Sequence, residues 1–132
     1  MKNKPILLRI SYWWGAVADL LMGVLMLFPK FYLQFTHSNL QYSREFAYGL
    51  LNGVPLMFGW TILLVWADHK PQERKHILPM TMFVVLGYIT VEIQALLSGM
   101  STLQSTVPLF FMQGALLVMF IVSMFHNRFT EM

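Results

Sequence analysis

The chain has no cysteine. That excludes disulfides, thiolate nucleophiles, iron–sulfur clusters and cysteine-based zinc sites, and leaves the redox compartment open. Charge is scarce as well: Asp, Glu, Lys and Arg make up 11% of the 132 residues, against about 25% in a soluble domain. So little charge cannot clothe a water-facing surface. The net charge is only +3, and the basic residues gather at the ends of apolar segments. They form no nucleic-acid footprint, so no nucleic-acid partner is expected. The sequence also has no nucleophile elbow, phosphate loop, HExxH pair or catalytic triad, and no low-complexity tract or clear internal repeat.

What fills the chain is apolar: 57% of it is hydrophobic. Four segments, at about 6–28, 45–66, 77–97 and 106–125, are each near the roughly 20 residues that cross hydrocarbon. In lipid such segments must be helical, because an open strand would leave backbone groups unpaired. Residues 1–132 are therefore expected to be a single integral membrane domain, with Pro29 ending the first helix and Gly99 the third. The N-terminus resembles a cleaved signal in Lys2, Lys4 and Ala16-Val17-Ala18. Arg9 and Ser11 interrupt its would-be apolar core, and the apolar run continues to Phe28, so it is read as a retained helix.

Connections set the topology. Residues 30–44 mix Phe31, Tyr32, Phe35 and Tyr42 with polar residues, which suits a segment at the membrane interface. Residues 68–76 are short and highly charged, and 100–105 form a tight uncharged turn. Lys2, Lys4, Arg9, Lys70, Arg74, Lys75 and Arg128 fall on one side, and Lys30 and Arg44 on the other. The positive-inside rule then places both termini in the cytoplasm of a cell with an inner, cytoplasmic membrane. Short connections make successive helices antiparallel neighbours. The expected fold is an all-α, four-helix transmembrane bundle running up-down-up-down.

Each segment carries one polar residue at a similar depth. Asp19, Asn52, Glu92 and Gln113 all fall roughly 3–6 Å outward of the midplane, at about 1.5 Å per residue. Gly15, Asp19 and Gly23 form one stripe; Gly49 and Gly53 form another beside Asn52. Small-residue stripes allow close helix approach in lipid. Tyr88 and Glu92 stack at i, i+4. If these stripes face each other, Asp19 and Glu92 share a buried site with Asn52, Gln113, Tyr88, Trp13 and Trp60 around it. An unpaired charged carboxylate in the membrane costs several kcal/mol, so a shared proton or a bound cation would relieve the strain. Arg9 lies about 15 Å along the axis from Asp19, and is expected to anchor at the inner interface instead. The competing account makes the polar residues interhelical hydrogen-bond glue, at about 0.6–2 kcal/mol each.

Other residues point to less. His69, His76 and His126 lack metal-ligand spacing and are expected to be solvated interface residues, and His37 a loop residue. Of the 11 methionines, Met22, Met26, Met80, Met82, Met112 and Met119 are spread over three segments and make no copper path. No cofactor or metal is expected.

The stretch MFGWTILLVWADHKPQERKHIL (57–78) resembles a recurring signature of small four-span bacterial membrane proteins with no assigned activity. The opening ISYWWGAVADLLMGVLMLFP (10–29) resembles the same group, and together they cover about a third of the chain. The resemblance implies a bacterial origin and the fold, but no chemistry. A more distant likeness in layout is to DoxX-like four-helix proteins. The carboxylate-and-tryptophan layer is similar in kind to sites of sterol isomerases and sigma-2-type membrane proteins. Three functional expectations follow. The first is a protein binding a small amphipathic or cationic ligand, or a proton or cation, at the carboxylate layer, with transport as one version. The second is an accessory subunit of a membrane complex or a homo-oligomer, with the Gly49–Gly53 stripe and residues 57–66 facing partners. The third is a small intramembrane acid–base enzyme.

Overall fold

The computed structural model describes residues 6–131, with side chains through 126. Lys2, Lys4 and the side chain of Arg128, used in the orientation argument, lie outside the described residues. Within them the chain is all-helical and has no strand: α1 Ile6–Met26, α2 Pro29–Thr36, α3 Arg44–His69, α4 Ile77–Leu97 and α5 Leu103–Glu131.

Local chemistry sets the boundaries. Pro29 stands in the first turn of α2, where a missing N–H costs nothing, and α2 leaves α1 at a bend of 117°. The Ser43 side chain accepts a hydrogen bond from the Phe46 N–H at 3.0 Å and caps α3. Gly99 takes a φ of 76°, and the bonds from Gly99 N to Leu96 O (3.2 Å) and Met100 N to Ala95 O (2.9 Å) close α4. That is the paired C-terminal motif for which a left-handed glycine is suited. Thr102 and Ser105 exchange side-chain-to-backbone bonds at 3.1 and 3.2 Å, which starts α5 at Leu103, ahead of the expected position.

Helices α3, α4 and the Leu103–His126 part of α5 are each long and apolar enough to cross a membrane; α1 qualifies only when taken together with α2. Of the four expected spans, three are matched by single helices, and the first only by the bent pair α1 and α2. The interruption comes from Arg9, Ser11, Tyr12 and Asp19 in α1.

Helix α1, which qualifies as a span only together with α2, buries one face against protein. Its main neighbour is α3, it also touches α5 and α2, and α5 in turn packs on α4. One core joins Leu8, Tyr12 and Ala16 of α1 to Leu64 and Ala67 of α3, Ile77 and Leu78 of α4, and Leu116 and Phe120 of α5. It brings the starts of α1 and α4 together with the later parts of α3 and α5. Polar bonds reinforce this core end. Ser11 and Ser123 hydroxyls meet at 2.5 Å, Ser123 also donates to Leu7 O at 3.1 Å, and the Tyr12 hydroxyl donates to Arg74 O at 3.1 Å. At the opposite, α2 end, Ser38 donates to Met100 O, Asn39 to Gly99 O, and Thr102 to His37 O, at 3.2–3.3 Å.

Packing is unequal between the two ends. All of the buried residues of α4 lie between Ile77 and Val85, and none lies in its second half. Beyond Ala16, the buried residue of α1 is Gly23.

Candidate functional site

Asp19 sits between Gly15 and Gly23 on the face of α1 turned to α3. A Cβ added at Gly15 would meet Leu64 Cδ1 at 2.9 Å and Phe120 Cζ at 3.3 Å; one at Gly23 would meet Phe58 Cε1 at 2.8 Å. The missing side chains therefore bring the backbones close, and Thr61 of α3 reaches across to Ala16 O at 3.4 Å. Asp19 is drawn by this stripe into the seam between α1, α3 and α4. There it lines a pocket of about 80 Å³, with Leu56, Met57 and Trp60 from α3 and Thr81, Val84, Val85 and Tyr88 from α4.

The walls are oriented by hydrogen bonds. The Trp60 indole N–H donates to the Thr81 hydroxyl at 3.2 Å, and that hydroxyl donates to Ile77 O at 2.9 Å. This chain ties α3 to α4 on the core side of Asp19. Among the described residues no side chain makes a hydrogen bond or ion pair with the Asp19 carboxylate, and Tyr88 lies within its electrostatic range. A water takes up about 30 Å³ in the liquid. The pocket thus has room for a few waters or a small cation.

The expected layer is only partly assembled. Asp19, Trp60 and Tyr88 come together. Glu92 does not line the pocket; it stands one turn beyond Tyr88, half-buried and without a hydrogen-bond partner among the described residues, within electrostatic range of Tyr32 of α2. Asn52 is exposed and donates its amide to Tyr48 O of its own helix at 2.8 Å. Gln113 shares the face of Leu116 and Phe120, and its buried Oε1 has no hydrogen-bond partner among the described residues. Trp13 turns away from Asp19, and its indole N–H donates to Asp68 at 3.0 Å. The Gly49–Gly53 stripe divides: Gly49 faces open space, whereas a Cβ at Gly53 would meet Met26 Cε at 2.5 Å.

One polar cluster escaped the sequence reading. Asp68 is expected in a connection, but it belongs to the last turn of α3 and is 8% exposed. It accepts from Arg9 Nε at 2.8 Å and Arg9 Nη2 at 3.0 Å, with Trp13 as a third donor. The signal was available: Arg9 and Asp68 are opposite charges at similar depth on neighbouring helices of opposite direction. Nearby, Arg74 stacks on the Trp66 ring, 3.4 Å from its centroid.

Larger spaces lie elsewhere. Two open apolar grooves of about 670 and 560 Å³ run along the α1–α5 seam and share Ala18, Leu21 and Met112. Neither contains a carboxylate. No cluster of three or more His, Asp or Glu with metal-binding geometry occurs among the described residues.

No family model, curated protein or solved structure matches the chain.

Proposed function

We propose that this protein is a four-span protein of a bacterial inner membrane that holds a proton or a small cation at Asp19, as a carrier of that ion would. In this reading α1 with α2 forms the first span, the four long helices make an up-down-up-down bundle, and both termini are cytoplasmic. The grouping of Arg9, Lys70, Arg74 and Lys75 at the core end, against Lys30 and Arg44 at the α2 end, supports that orientation.

One observation carries the site: a carboxylate without a protein partner, in a small pocket walled by apolar side chains, Trp60, Thr81 and Tyr88. A lone carboxylate charge in such surroundings is unfavourable. Neutralisation by a proton or a small cation removes the cost, and the small pocket accommodates either. An acid–base enzyme would need its two carboxylates around one substrate, and Glu92 lies outside this pocket. Structural glue would require Asp19 to bond a neighbouring helix, and it bonds none among the described residues.

Two measurements on the protein in lipid nanodiscs test the site. A proton at Asp19 gives an infrared carboxylic-acid carbonyl stretch that disappears in Asp19→Asn. A cation there gives a melting temperature that rises with lithium, sodium or potassium concentration, a rise absent in Asp19→Asn. Either signature, lost on substitution, supports the reading. Absence of both, or persistence of both in Asp19→Asn, overturns it.

A further inference from the structure

The two ends of the molecule differ in how tightly they seal. On the core side of Asp19, Tyr12, Ala16, Leu64, Leu78 and Phe120 are between 0% and 2% exposed. Interiors of that density exclude water. The Trp60–Thr81 hydrogen bond closes the same side of the pocket between α3 and α4. Toward the α2 end the picture reverses: α4 contributes no buried residue after Val85.

The polar groups follow this loose side. Tyr88 lines the pocket with Asp19. Glu92 lies one helical turn further along α4, on the same stripe. Tyr32 of α2 is within electrostatic range of both Glu92 and Tyr88. Two hydroxyls and a carboxylate thus lead from the pocket to the interface helix, on a face where lipid-suited side chains would otherwise be expected. Neither the Asp19 nor the Glu92 carboxylate has a protein hydrogen-bond partner among the described residues, so both are available to water or to a passing cation.

We infer that Asp19 is reached from the α2 end alone, along Glu92, Tyr88 and Tyr32, and that Glu92 admits cations and turns anions away. The inference rests on the proposed site at Asp19, and it adds the side of access and a selectivity residue. Glu92 lies outside the enclosed pocket and near the end of α4, where its charge is less costly than that of Asp19, and it acts by that charge: a carboxylate on the approach concentrates cations and repels anions.

The absence of cysteine makes the natural chain a ready background for single-cysteine labelling. The variants are Glu92→Cys and Tyr88→Cys on the path, and Ala16→Cys and Ala67→Cys in the core. Membrane-impermeant cationic and anionic thiosulfonates are applied to each face of oriented vesicles. Glu92→Cys and Tyr88→Cys should be modified only from the face that carries residues 37–42, and the core pair from neither face. At Tyr88→Cys the cationic reagent should react roughly fivefold or more faster than the anionic one, and this preference should vanish in Tyr88→Cys/Glu92→Gln. Modification from the opposite face, from both faces, or from neither overturns the route. Equal rates for the two reagents overturn the role of Glu92. If labelling fails while Asp19→Asn still abolishes the infrared or cation signature, the site stands and the route falls. If labelling succeeds and no Asp19 signature exists, the site itself is wrong, and with it an access route that ends there.

Discussion

Arg9, Trp13 and Asp68 show what a buried charge requires. Asp68 is buried and takes three donors, two from Arg9 and one from Trp13. The Arg9 side chain is 49% exposed, so its own charge is solvated if the pair is broken and the cost falls on the carboxylate. Removing one partner of such a pair is worse than removing both. We expect Arg9→Met to lower the melting temperature clearly. Asp68→Asn should lower it less, because the amide oxygen still accepts from Trp13. The double variant Arg9→Met/Asp68→Asn should recover most of the loss seen in Arg9→Met. Thermal melts of the three variants in one detergent check this; a double variant as unstable as Arg9→Met would show that the carboxylate is not the sensitive group. At this scale the sequence was partly legible. The four-residue spacing of Gly15, Asp19 and Gly23 placed Asp19 in a seam. Asn52 and Trp13 could not be placed, because a helix in lipid is apolar all round and its pattern does not mark the protein-facing side.

Among the helices, the α1–α3 seam is the most extensive contact, and the glycines of these two helices differ in what faces them. At Gly23 a new methyl meets the Phe58 ring at 2.8 Å and Met57 Cβ at 3.2 Å, and a Cβ cannot move aside. At Gly53 it meets only the terminal methyl of Met26, and at Gly59 nothing within 4 Å. Overpacking costs about 1–3 kcal/mol, whereas replacing a helical glycine by alanine gains up to about 1 kcal/mol. Gly23→Ala should therefore destabilise by about 1–2 kcal/mol, Gly53→Ala should be near neutral, and Gly59→Ala should stabilise slightly. Reversible unfolding in mixed micelles gives the order; equal effects at Gly23 and Gly59 would show that the seam is not tight. Helix existence was readable from apolar length, and the ends at Pro29 and Gly99 from backbone chemistry. The separate α2 helix and the early start of α5 were not. The aromatic composition of 30–44 suits an interface without fixing a helix, and the Thr102–Ser105 cap departs from the Glu-bearing pattern usually sought.

For the whole molecule, the decisive matter is how many times the chain crosses. Helices α3, α4 and α5 suffice in length and apolarity, and α1 does so only with α2 across its 117° bend. Three crossings put the termini on opposite faces; four put them on the same face. The charge distribution argues for four, since Lys70, Arg74 and Lys75 share the core end with Arg9 while the α2 end keeps Lys30 and Arg44. The interior argues the same way. Arg9, Ser11, Tyr12 and Asp19 lower the apolarity of α1, but Ser11 and Tyr12 are buried against α5 and the α3–α4 connection, so lipid does not meet them. A helix that spends its polar groups on its neighbours crosses a membrane with less hydrophobicity than an isolated one. We expect a fluorescent reporter fused after residue 131 and a tag placed in 70–76 to lie in the cytoplasm. A tag in 37–42 should be open to an external protease, and an N-terminal tag protected. An N-terminal tag cleaved from outside, with the C-terminal reporter still internal, would mean three crossings. Helix α1 would then lie outside the spanning set, and Asp19 would lose the membrane environment that makes its lone carboxylate costly.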